Sequence, residues 1–137
     1  MNEHFRIQRN LTLVCCIMLA SIARAGDIVV IMGPGAAALS KEQIADVYTG
    51  HSKDLHPVDL PASAPVRDDF YKKATSRDAA QMKAVWARIQ FTGLGMPPKV
   101  LPDDAAVKKA VAADPKAVGY IDKASVDSTV KVVLELN

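Results

Sequence analysis

Apolar residues fall along this chain in two alternating patterns, short continuous runs and stripes with helical spacing. Residues 27–32 (Asp-Ile-Val-Val-Ile-Met) form a β-branched run closed by Gly33-Pro34-Gly35, which predicts a buried strand followed by a breaker. Ser40 stands three residues before Gln43, the spacing of a capping box, and Ile44, Val47 and Tyr48 continue as one helical face that Gly50 ends. Residues 57–60 have room for a brief strand. Pro65 suits a first helical turn, with Val66, Phe70 and Ala74 following on one side. A third helix is predicted over residues 78–90 with the stripe Met82, Val85, Trp86 and Ile89, after which Gly93, Gly95, Pro97 and Pro98 forbid continuation. Asp103 can cap a fourth helix carrying Ala106, Val107, Ala110 and Val111, which stops at Asp114-Pro115 because the residue before proline disfavours helical geometry. Residues 118–121 and 129–136 read as strands. The alternation predicts an α/β fold with a mixed or parallel sheet flanked by helices, without internal repeats, low-complexity tracts or long linkers.

Residues 1–25 depart from this pattern and read as a secretory signal peptide. Arg6 and Arg9 supply positive charge, residues 11–22 are apolar, and Ala23-Arg24-Ala25 offers small residues for cleavage before Gly26. A retained membrane helix needs about 20 apolar residues, and Arg24 cuts this run short. Cys15 and Cys16 both lie inside the run, so cleavage leaves no thiol for a disulfide, a thiolate metal site or catalysis. Val14 before Cys15 argues against lipid attachment there. Removing 25 residues from 137 leaves 112, enough for one domain over residues 26–137. The basic count then falls from 17 to 14 and the acidic count from 15 to 14, so the mature chain is neutral. No nucleic-acid partner is expected of such a balance.

Four segments carry more than secondary structure: Ser40-Lys-Glu-Gln-Ile-Ala-Asp-Val-Tyr-Thr-Gly50, residues 63–70, residues 86–95, and Ala117-Val-Gly-Tyr-Ile121. In this order they resemble the phosphate ABC-transporter substrate-binding family, in particular its short stand-alone members that keep one lobe of a type 2 periplasmic binding protein. The resemblance implies a periplasmic, non-catalytic binder of phosphate or a related oxyanion with no cofactor. In the larger relatives a polar loop opens a helix and holds the oxyanion, with an arginine close by. Backbone N–H groups at a helix start, hydroxyls and a guanidinium all favour an anion.

The corresponding segment here is residues 59–70, and it assigns ligand binding to Ser63 and Arg67. Leu60 and Ala62 stand where large relatives place arginine and aspartate, and Ala64 where short relatives tend to have serine, so the predicted site is weak. The alternative makes Ser63 an N-cap and Arg67 a solvated helix residue. A second loop, residues 91–98, resembles the family's phenylalanine-threonine-glycine turn and adds Thr92 and Gly93, which otherwise form a helix C-cap. Leu94 and Met96 make this loop apolar and suit a partner surface. Gly33-Pro34-Gly35 is read as a turn whose amides contribute at most secondarily.

His51, Asp54, His56 and Asp59 contain metal-ligating types, but their spacing matches no metal motif and no metal is expected. Ser63 lacks the setting of a nucleophile elbow, and the pairs Asp68-Asp69 and Asp103-Asp104 suit helix starts, so no enzyme is expected. Trp86 reads as a core residue. One lobe cannot clamp a ligand between domains, so tight binding requires a homodimer or a second protein. The rival reading is a cell-envelope interaction module that kept the fold and lost the ligand.

Overall fold

The computed structural model describes residues 27–137, and the predicted signal peptide, with its predicted cleavage site, Cys15 and Cys16, lies outside the described residues. The elements run β1 (Ile28–Met32), α1 (Lys41–Tyr48), β2 (His56–Asp59), α2 (Pro65–Thr75), α3 (Ala79–Phe91), β3 (Lys99–Val100), α4 (Asp104–Ala113), β4 (Ala117–Asp122), a 3-10 turn (Lys123–Ser125) and β5 (Lys131–Leu136). The sheet order is β3-β2-β4-β1-β5. β2 runs parallel to both β3 and β4, whereas β1 is antiparallel to β4 and β5. The sheet is therefore mixed, as one of the two predicted forms. No helix among the described residues is long and apolar enough to cross a membrane.

The central position of β1 explains its composition. All five residues are buried, and a strand covered on both faces has no use for polar alternation. Helix starts follow the local chemistry. Ser40 and Asp78 each form a reciprocal capping box, with Gln43 and Gln81 respectively, and Asp103 accepts the Ala106 N–H at 2.8 Å. The α3 stripe is less buried than its period predicts. Met82 is fully enclosed, while Val85, Trp86 and Ile89 are half-buried because α3 packs beside α2 at the sheet margin. The short strand β3 was not predicted. Its two residues are exposed and acquire strand geometry by pairing with Val58 and Asp59.

Beneath α1 and α2 lies an aromatic core. Phe70 stacks on Tyr120 with ring centroids 3.8 Å apart, and Tyr48 meets Phe70 edge-on at 4.7 Å. On the other side, α4 approaches β4 across Gly119. A Cβ there would lie 2.5 Å from Val107 Cγ1 and 2.9 Å from Val58 Cγ2, both on buried side chains. Gly119→Ala is accordingly expected to cost about 2 kcal/mol through overpacking, read as a lower urea midpoint at unchanged m-value. An unchanged midpoint would show that α4 yields freely.

The sheet margins are covered differently. The segment leading to α1 lies along β5, where the Leu39 N–H donates to the Val133 carbonyl at 2.9 Å and the Lys131 ammonium reaches the Ala36 carbonyl. At the opposite margin, β3 is bracketed by Pro97 and Pro98 before it and Pro102 after it.

Candidate functional site

The parallel strands β3, β2 and β4 deliver their C-terminal ends to one side of the sheet, where open α/β sheets form ligand crevices. β2 ends there in Asp59, β3 in Val100, and the chain after Asp59 turns directly into α2. Asp59 is only 2% exposed, and a buried carboxylate is tolerated only when its oxygens are supplied with donors. It has four. Oδ1 accepts the Leu60 N–H at 2.8 Å and the Tyr120 hydroxyl, while Oδ2 accepts the Tyr71 hydroxyl at 2.5 Å and faces the Arg67 guanidinium at 3.5 Å. Burial, reinforced by the Asp59 charge, pushes the Tyr71 and Tyr120 phenols far above their ordinary range and keeps them as neutral donors.

Arg67 connects this buried group to the surface. Its side chain is 26% exposed, and its guanidinium carbon lies 5.8 Å from the Tyr71 ring centroid, within cation–π range. Its Nε is buried without a hydrogen-bond partner among the described residues. The guanidinium thus has donor capacity that Asp59 does not use. Arg67 is not the solvated residue of the alternative sequence reading.

Nor is Ser63 the N-cap. Ala64 holds that position with no side-chain hydrogen bond, Pro65 supplies the first helical residue, and Ser63 is exposed just before them. The start of α2 therefore lacks a side-chain acceptor, although Asp68 places negative charge in its first turn.

A cleft of about 600 Å³ opens between α2, α3 and residues 97–100, with Asp59, Arg67 and Tyr71 on one wall and α3 on another. Trp86 lines it while its indole N–H donates to the Tyr48 carbonyl at 3.1 Å. Of the four residues assigned from sequence, Arg67 alone lines this cleft. Ser63 belongs to the loop beside it, next to the lining residue Ala62. Thr92 and Gly93 sit elsewhere, at the C-terminus of α3, where Gly93 has φ +70° and the Thr92 hydroxyl bonds to the Arg88 and Ile89 carbonyls at 3.1 and 3.0 Å. Carbonyls and the negative end of a helix dipole gather there.

The sequence reading missed Tyr71, Tyr120 and Lys83 as site residues and weighed Asp59 only as a metal ligand. Asp59 is instead occupied by hydroxyl and amide donors. His56 pairs with Asp114 at 2.8 Å, and the His51 ring meets the Thr49 hydroxyl at 2.8 Å. Phe91 (94% exposed), Leu94 (62%) and Met96 (76%), outside the cleft lining, and Val100 (53%), on its rim, leave large apolar side chains in water.

The architecture matches solved structures of phosphate-binding proteins. An ABC-type phosphate transport receptor from Vibrio cholerae superposes with a TM-score of 0.61 at 18% identity, over 79% of this chain and 45% of that one. A protein from Clostridium perfringens, assigned as a phosphate ABC transporter substrate-binding protein and solved with bound phosphate, gives 0.62 at 21% identity, covering 79% and 44%. PstS from Borrelia burgdorferi gives 0.55 at 11%, covering 82% and 55%. The chain spans about half the length of these proteins or less, and the shared part is the fold of one lobe. No protein-family model and no curated protein matches the sequence.

Proposed function

We propose that this protein is an exported, periplasmic, non-catalytic binder of phosphate or a related small oxyanion. The observation that carries the reading is Arg67: a partly exposed guanidinium, held 3.5 Å from Asp59, that lines a cleft at the C-terminal ends of the parallel strands beside a helix start that no side chain caps. Ser63, on the loop entering that helix, adds a hydroxyl. Support from the solved phosphate-binding structures extends to the fold of the lobe.

Electrostatics set the strength. Asp59 offsets much of the Arg67 charge, Asp68 repels an anion from the helix start, and the cleft as it stands is open to water. Binding by the monomer is expected at millimolar concentration, about −4 kcal/mol. Calorimetric titration of the purified protein with phosphate and sulfate, with Trp86 fluorescence followed in parallel, tests this. Saturation that disappears in Arg67→Gln, with Ser63→Ala weakened a few-fold, is the expected result. Absence of heat and of any fluorescence change through tens of millimolar anion would overturn the reading.

The exposed side chains of Leu94 and Met96, which line one shallow pocket together, favour a second reading, a cell-envelope interaction module, because exposed apolar patches mark interaction surfaces. Arg67→Gln separates the two. It removes an anion site and leaves partner binding intact.

A further inference from the structure

The cleft that holds Arg67 is larger and more apolar than a bare oxyanion needs. A tetrahedral anion of five heavy atoms displaces roughly the room of two or three waters, each taking about 30 Å³. The cleft encloses about 600 Å³, within the range of sites for small organic ligands. Its polar groups gather on few residues, Asp59, Arg67, Tyr71, Lys83 and Gln90, and the two cations are Arg67 and Lys83. The remaining wall is apolar: Met82 and Trp86 from α3, then Pro97, Pro98 and Val100.

The space exists because α3 turns small residues toward it. Ala79, Ala80 and Ala87 line the cleft with single methyl groups and are exposed to it, whereas larger side chains at the same helical positions would fill it. Trp86 is fixed by its hydrogen bond to the Tyr48 carbonyl, which holds an aromatic surface at the cleft without a rotamer search on binding.

We infer that the ligand is an amphipathic organic anion, with an anionic head at Arg67 and an apolar or aromatic body lying against Trp86, Met82 and the Pro97-Pro98 segment. This inference rests on the oxyanion reading for the head group and adds the body. Phosphate and phosphonate esters have this chemistry, and inorganic phosphate has only the head. Burying an aromatic ring against the apolar wall is expected to tighten binding by roughly tenfold or more over the bare head.

The test compares inorganic phosphate, phenyl phosphate and neutral benzyl alcohol as probes of the purified protein, by calorimetry and Trp86 fluorescence. Phenyl phosphate should bind at least tenfold more tightly than phosphate, and benzyl alcohol should not compete at millimolar concentration. Ala87→Leu changes an exposed helical residue and preserves helix propensity, so it should fold normally. It should weaken phenyl phosphate by about tenfold while leaving phosphate unchanged, whereas Arg67→Gln should abolish both. Equal affinities for phosphate and phenyl phosphate, with Ala87→Leu silent, overturn the amphipathic ligand and leave the oxyanion reading standing. Failure of both anions to bind overturns the oxyanion reading, and the inference falls with it.

Discussion

Asp59→Ala is expected to destabilise the protein by about 3–5 kcal/mol, the range for removing one partner of a buried charged network. The carboxylate serves the Leu60 N–H, the Tyr71 and Tyr120 hydroxyls and the Arg67 guanidinium at once. Removing it strands these donors and leaves a partly buried cation beside them. Against a typical domain stability of about 5–15 kcal/mol, this is more than half of the total at the lower end. Asp59→Asn should fall in between, because an amide oxygen still accepts while its NH₂ confronts a second donor. Tyr71→Phe, which removes one donor and leaves the carboxylate otherwise supplied, should cost only about 1–2 kcal/mol. Urea denaturation of the three variants checks the order. A loss below 1 kcal/mol for Asp59→Ala would show that water replaces the carboxylate and that the network contributes little.

Alkaline pH should act on the same region and unfold the protein steeply. The chain has three tyrosines, Tyr48, Tyr71 and Tyr120, and all three are buried in this core. Burial raises each phenol above its ordinary value of about 10. For Tyr48 the neighbouring tyrosines and Asp59 add to burial, and for Tyr71 and Tyr120 the Asp59 charge does. Below pH of about 10 the phenols are protonated in both folded and unfolded chains, so this contribution to stability is fully present. Above it the unfolded chain releases protons that the folded chain retains, and stability falls as pH rises toward the folded values. Three such groups give a slope approaching about 4 kcal/mol per pH unit. Phenolate absorbance and far-ultraviolet circular dichroism should therefore change together in one transition. A tyrosine titrating near its ordinary value while the circular dichroism stays native would contradict the burial of the cluster.

What could be read from the sequence was whatever local chemistry decides. The capping spacings at Ser40 and Asp103, the breaker after β1 and the Asp114-Pro115 stop each involve neighbours within four residues, and each appears in the fold. Strand β3 escaped because Lys99 and Val100 have no strand pattern of their own and are ordered by β2. The position of β1 between β4 and β5 depends on contacts across the whole chain and was equally illegible. The site divides in the same way. Arg67 was assigned by resemblance to a family loop that opens a helix, and it lines the cleft, whereas Asp59 is explained by Tyr120, 61 residues away, and by Tyr71, which lies one residue beyond the predicted stripe at Phe70. Thr92 and Gly93 were drawn together with Arg67 by resemblance, and the fold makes them the C-terminal cap of α3, outside the cleft lining.

The way the sheet is finished at its two sides governs how molecules of this protein meet one another. An open strand edge offers unpaired N–H and C=O groups that template the addition of foreign strands and, in the extreme, fibrils. Here the stretch before α1 occupies part of the outer side of β5, and the prolines around β3 limit the other edge to two residues. Templated aggregation through backbone pairing is thus disfavoured at both margins. A neighbour approaching this protein in a crowded compartment meets side chains, and association is governed by their chemistry.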